Sequence, residues 1–138
     1  MSKIAGEGVS GVALSALKAQ QARMRIIAEN MANSASTANV PGGQPYRRQA
    51  AVFEVAKTED GAVGVRMKAA APDPSPFHKD FNPGHPAADA AGYVLTPNVD
   101  GLVEALDMKQ AMRAYEANMN VLENQDAVEK STLSLLRK

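Results

Sequence analysis

His78 and His85 are the only imidazoles in the chain, and Asp73, Asp80 and Asp89 lie near them in the sequence. Imidazole nitrogens and carboxylates are ligands for a divalent metal. A His-x6-His spacing inside a proline-rich stretch matches no compact ligand motif, however, so two surface histidines in a loop are the simpler expectation. Ser75 stands near His78, but Pro76 intervenes, and nothing here suggests a nucleophile elbow or oxyanion donors. Glu59 and Asp60 read as turn residues rather than an acid–base pair. Pro41-Gly42-Gly43-Gln44-Pro45 has glycines but lacks the Gly-Lys-Ser/Thr ending of a phosphate loop. Its expected task is to end a helix and turn the chain. Tyr46-Arg47-Arg48 puts an aromatic beside two cations, a grouping that can grip RNA. Without a wider basic surface it reads instead as polar contacts at a junction, either between subunits or between a helix and a β segment. No active site emerges; neither enzyme activity nor a cofactor is expected.

Composition narrows the classes further. Lys+Arg and Asp+Glu are both 15, so the formal charge is zero and gives no global pull toward nucleic acid or an anionic membrane. With no Cys, disulfides, thiolate metal sites and cysteine nucleophiles are all excluded. No run approaches the ~18 apolar residues of a membrane helix, so no membrane insertion is expected. Of the 138 residues 45% are hydrophobic, but 25 are Ala, and Leu, Ile, Val and Phe together number only 27. Such a thin supply of core formers implies that some burial is found against a partner.

The elements that must carry these residues follow from the helix breakers. All eight prolines fall between Pro41 and Pro97, whereas Val12–Val40 and Leu102–Lys138 contain neither Gly nor Pro. The pattern predicts helix, irregular or β middle, helix. In the first helix Leu17, Met24 and Met31 recur every seven residues, with Ala13 and Ile27 on the neighbouring seam and Gln20 interrupting it. In the last, Ala105, Met108, Met112, Tyr115, Met119 and Leu122 form an a/d stripe. It breaks at Asp126 and Glu129, and Val128, Leu133 and Leu136 resume on a shifted register. A last helix of about 37 residues would span roughly 55 Å, more stripe than the middle segment can cover. An intramolecular helical hairpin and assembly with other copies or subunits both remain open on this spacing.

In the middle, Ala51, Phe53 and Val55 alternate with Val52, Glu54 and Ala56, and Val63, Val65 and Met67 alternate with Gly64, Arg66 and Lys68. Around Asp60-Gly61 this predicts a β-hairpin. Tyr93-Val94-Leu95 is a candidate third strand, and Ala71–Pro86, with five prolines, is expected to be extended or turning. The expected fold class is α+β: long N- and C-terminal helices pairing as a coiled-coil-like bundle with a small β-rich middle domain. The expected boundaries are 1–38, 39–99 and 100–138. Asp100 is the expected N-cap of the last helix.

Several of these segments carry a resemblance. Ala28-Glu29-Asn30-Met31-Ala32-Asn33 resembles the Ala-x-Asn-hydrophobic-Ala-Asn signature of bacterial flagellar rod, hook and related axial proteins, with Glu29 where a small polar residue is more usual. Gly43 to Gln49 with Val52-Phe53 is similar to a junction of one proximal-rod subclass. So are Pro83-Gly84-His85-Pro86-Ala87-Ala88-Asp89 with Gly92-Tyr93-Val94, and Pro97-Asn98-Val99-Asp100. Arg113-x-Tyr115-Glu116-Ala117-Asn118 resembles the C-terminal hallmark of the axial family. The motif positions of interest are therefore Pro45, Tyr46, Arg47, Pro83, Gly84, His85, Pro86, Asp89, Gly92, Tyr93, Pro97, Asn98 and Asp100.

The resemblance implies a non-enzymatic building block of the rod, the drive shaft that crosses the periplasm. Its terminal helices, about 8–36 and 100–138, would pack into a tubular helical array with 39–99 outside. Implied partners are copies of itself, other proximal and distal rod subunits, and the flagellar type III export apparatus. The opening residues show no basic head before an apolar run, so export without a cleaved signal is the expectation. Expected subunit-interface residues are Leu17, Met24, Ile27, Asn30, Met31, Asn33, Met112, Tyr115, Asn118, Met119 and Leu122. Asn30 and Asn33 could bond neighbouring backbones, and a buried Tyr115 ring would need a partner for its hydroxyl. Capping or core packing within one subunit serves the same residues equally well. The competing readings are a small soluble module holding a metal or ligand at His78 and His85, and a nucleic-acid binder centred on Arg47 and Arg48.

Overall fold

The computed structural model describes the backbone of residues 2–137 and the side chains of residues 8–137. Of the expected boundaries, Met1 and Lys138 lie outside the described residues. In order come α1 (Ser2–Ala32), β1 (Gln49–Lys57), β2 (Val63–Pro72), β3 (His78–Phe81), β4 (Tyr93–Thr96) and α2 (Gly101–Leu136). The fold class is α+β as expected. Two compact units divide the chain: Met1–Met24, Val52–Ala69 and Lys109–Lys138 form one, Arg25–Ala51 and Ala70–Met108 the other.

The expected helix 8–36 begins and ends earlier. Glycine disfavours helix interiors by about 1 kcal/mol relative to Ala, yet Gly8 and Gly11 lie inside α1. At Gly11 the hairpin turn comes close, and a Cβ there would stand 2.9 Å from Asp60 Oδ1. At the other end, Asn33 Nδ2 donates to Glu29 O at 2.9 Å, and Ser36 Oγ donates to Asn33 Oδ1 at 3.1 Å. These side chains compete with the next helical turn, and α1 stops at Ala32.

In the first unit α1 and α2 run antiparallel. Arg23 Nη2 donates to Gln110 Oε1 at 3.5 Å, while Val12 and Ala13 share a groove with Asn118 and Val121. Ala13, Leu17, Ala19 and Ala111 are buried. The β1–β2 hairpin lies against α1, where Ser15 Oγ donates to Val12 O at 2.7 Å and accepts the Val65 N–H at 3.1 Å. A Cβ on Gly64 would collide with Ser15 and come within 2.9 Å of Thr58 Cγ2, so only glycine fits. Small residues thus serve the close approach, and the large apolar side chains of the hairpin turn away. Val55 is 77% exposed and Val63 66%.

The second unit holds the remaining strands. β4 is not a third strand of the hairpin sheet. It pairs antiparallel with β3, inside the proline-rich stretch expected to be merely extended or turning, with Asp80 opposite Val94 and Phe81 opposite Tyr93. Phe81 and Tyr93 meet edge to face at 5.3 Å. A four-residue strand among prolines has too little alternation to announce itself. Gly92 closes the connecting loop at φ +87°, where a Cβ would lie 2.9 Å from Phe81 Cε2. Asp89 Oδ1 accepts the N–H groups of Ala91 and Tyr93 at 2.9 and 3.0 Å, which accounts for the Asp89-x-x-Gly92-Tyr93 spacing. Ile26, Ile27, Ala87, Val94 and Val99 form the apolar core of this unit.

Asp100 caps α2 as expected, its Oδ1 accepting from Leu102 N at 2.9 Å and Val103 N at 3.4 Å. The most deeply buried positions of α2 lie one residue before the expected stripe, although Met108, Tyr115, Met119 and Leu122 of that stripe are half-buried. Glu104 and Ala111 are fully buried, whereas Ala105 is exposed and Met112 is 48% exposed.

Candidate assembly site

Three of the motif segments converge on Tyr46–Gln49 in the second unit. From α1, Asn30 is fully buried and uses its carboxamide as a strand would. Its Oδ1 accepts the Gln49 N–H at 2.9 Å, and its Nδ2 donates to Gln49 O at 2.8 Å. Tyr46 donates its hydroxyl to the same Oδ1 at 2.7 Å. Burial first, and then the charges of Glu29 and Glu104, raise the Tyr46 pKa, so the phenol keeps the proton this bond requires. From the segment before α2, Asn98 Oδ1 accepts the Arg48 N–H at 2.8 Å, and its Nδ2 donates to Asp73 O and Ser75 O at 3.2 and 3.0 Å.

Arg48 is the electrostatic centre. Its Nε bonds the fully buried Glu104, its Nη1 meets Asp73 Oδ2 at 3.1 Å and its Nη2 meets Asp107 Oδ2 at 3.3 Å. Burial works against the guanidinium charge, but Glu104 and Asp73 outweigh it and raise the Arg48 pKa. Asp73 is held below its ordinary value first by the Ser75 hydroxyl and N–H, then by Arg48. Arg47 donates to Asp73 O and Ser75 O at 2.6 and 2.9 Å, and its guanidinium lies 4.1 Å from the Phe77 ring centre. Arg48 therefore sits at a junction between helix and β segment, one of the two placements open from the sequence, while Arg47 is taken up by the segment 73–77. Spacing did not single out Glu104; its only signal is an acidic residue seven before Ala111.

The expected interface residues divide by exposure. Leu17, Ile27 and Asn30 are buried, and Met24, Asn33, Tyr115, Asn118, Met119 and Leu122 are half-buried. Met31 and Met112 are exposed. Asn118 Nδ2 donates within its own helix, to Ala114 O at 2.7 Å. Pro45 and Pro97 are buried, while Pro83, Gly84 and Pro86 line an exposed loop. Further apolar residues that the seam did not include are open to solvent. On α2 they include Leu102, Val103 and Leu106 at its start, and Val128, Leu133, Leu135 and Leu136 toward its end.

His78 and His85 stand apart in role. His78 is exposed in β3, and both ring nitrogens of His85 have partners, Thr37 Oγ1 and the Ala87 N–H. Among the described residues no three His, Asp or Glu side chains are grouped to hold a metal ion. No described helix is long and apolar enough to cross a membrane.

Residues 11–42 match the family described as flagella basal body rod protein, and residues 90–135 match the flagellar basal body rod FlgEFG protein C-terminal family. The flagellar basal-body rod protein FlgC of Agrobacterium fabrum is 39% identical over 137 residues, covering 99% of this chain and 93% of that protein. FlgC of Yersinia enterocolitica is 43% identical, over 90% of this chain and 92% of its own length. FlgC of Borreliella burgdorferi is 35% identical, over 91% and 94%. The two matched regions include Asn30 of α1 and Asn98 of the segment before α2, the two residues that grip the backbone at Arg48 and Gln49. With identity above the level that fixes a family and nearly complete coverage both ways, the chain belongs to the FlgC family of flagellar basal-body rod proteins.

Proposed function

We infer that the chain is a non-enzymatic structural subunit of the flagellar basal-body rod, placed in its proximal part and polymerising through its terminal helices. Its neighbours are copies of itself and other proximal and distal rod proteins. Delivery is through the flagellar type III export apparatus without a cleaved signal, to a rod that spans the periplasm. Residues 1–38 and 100–138 act as the inner-tube segments and 39–99 as the outer one.

One observation carries this reading: a chain related to rod proteins over nearly its whole length leaves rows of large apolar side chains uncovered on both helices. Val9, Val12 and Leu14 on α1 and Val128, Leu133 and Leu136 on α2 are all exposed. Burying such residues is worth about 25 cal/mol per Å² of apolar surface, or roughly 1.5–3 kcal/mol for a whole side chain, repeated in every copy. Torque transmission asks for many such contacts acting together rather than one reactive group. The alternative, a small soluble module binding a metal or ligand through His78 and His85, is not favoured, since the ring nitrogens of His85 are already engaged.

The test uses exposed positions, so folding and assembly separate. Val128→Asp and Leu136→Asp should leave the purified chain folded by circular dichroism yet abolish its recovery in isolated basal bodies and stop motility. Normal incorporation of both variants would overturn the helix-mediated assembly.

A further inference from the structure

The ring of His85 closes a contact that the assembly reading does not use. His85 lies in the loop 82–92 between β3 and β4 and is half-buried. Its Nδ1 accepts the Ala87 N–H at 3.0 Å, and its Nε2 lies 3.3 Å from Thr37 Oγ1. A ring nitrogen that accepts an N–H carries no proton, so the neutral imidazole must hold its hydrogen on Nε2 and donate it to Thr37. Ala87 is itself buried, and its carbonyl accepts the Gly42 N–H at 3.2 Å. The imidazole, Ala87 and the segment 36–43 thus form one connected set of bonds that holds the loop down.

We propose that His85 is an acid-labile latch: neutral, it fastens the loop 82–92 to the segment 36–43, and protonated, it releases it. In the imidazolium both ring nitrogens are donors, so Nδ1–H faces the Ala87 N–H and a buried amide loses its acceptor. Segment 36–43 contains no ionisable side chain to offset the new charge. Within the loop the only other ionisable group is Asp89, whose Oδ1 is taken by the Ala91 and Tyr93 N–H groups. The flanking strands add His78, Lys79 and Asp80 on β3 and Tyr93 on β4. Only the neutral ring can accept the Ala87 N–H and so fasten the loop.

The test is nuclear magnetic resonance on the full chain carrying His78→Gln, so that His85 is the single imidazole present. The ring nitrogen shifts at pH 8 should report the Nε2–H tautomer. On lowering pH to 5, across the range in which imidazoles as a class ionise, exchange protection of the Ala87 and Gly42 amides should fall at least tenfold relative to the β3–β4 ladder. In a His85→Asn variant the Oδ1 can accept the same N–H without titrating, so protection should persist at both pH values. His85→Leu should lose it at both. An Nδ1–H tautomer, protection unchanged by acid in the parent, or the same acid response in His85→Asn would overturn the latch. None of these readouts depends on rod assembly, so the two ideas fail separately.

Discussion

Replacing Arg48 with Met removes the cation bonded to Glu104, Asp73 and Asp107 while keeping much of its aliphatic stem. Glu104 decides the magnitude, because it is fully buried and its second oxygen has no hydrogen-bond partner. Breaking a buried pair by deleting one member costs about 3–5 kcal/mol, since the remaining charge is left uncompensated. Asp73 and Asp107 are partly solvated and add little. At about 3–5 °C per kcal/mol for a chain of this length, the melting temperature should drop by roughly 10–25 °C. Urea unfolding and calorimetry would measure the loss, and hydrogen exchange at the Arg48 and Gln49 amides would localise it. The double variant Arg48→Met with Glu104→Met should recover most of the stability, because two matched apolar side chains leave no orphaned charge in the buried position. A cost below about 1 kcal/mol for the single change, or no recovery in the double, would refute the assignment of Arg48–Glu104 as the junction's buried ion pair.

Other outcomes follow from the same geometry. Gly92→Ala should destabilise by about 1–3 kcal/mol, combining strain at positive φ with contact against Phe81. Gly101→Ala, at the start of α2 with open space around it, should be neutral or stabilise by up to ~1 kcal/mol in the same unfolding assay. Asp73 has a depressed pKa, so its contribution is complete above the ordinary carboxylate range and is lost as pH falls through the lower folded value. Asp73→Asn should therefore flatten the acid side of a stability-versus-pH curve while leaving its slope near neutrality unchanged.

How much of this was legible from residue order depends on which physical signal each feature leaves. The breaker pattern located α2 almost to the residue, because Asp100 is a local cap and no Gly or Pro follows Gly101. The hairpin around Asp60-Gly61 was equally plain from its alternation. The start of α1 was not, since its glycines answer to a hairpin fifty residues away that packs on Gly11. β3 was missed because its pairing with β4 is non-local and its side chains are exposed. The junction was half visible: Asn30, Tyr46 and Asn98 stood out as motif members, but Glu104 hid on a helix whose apolar stripe pointed one residue away. Buried polar networks depend on partners distant in sequence, and no spacing rule reports them.

At Arg48 and Gln49 the two asparagines address main-chain atoms, Asn98 the N–H of one and Asn30 both polar groups of the other. The fit at position 49 is therefore indifferent to which side chain stands there, and it rests on both polar atoms of the Asn30 carboxamide. Spontaneous hydrolysis of that amide to a carboxylate would turn an attraction toward the Gln49 carbonyl into a repulsion. The junction thus reads the backbone at position 49 and the side chain at position 48, so sequence drift is open to the first and closed to the second.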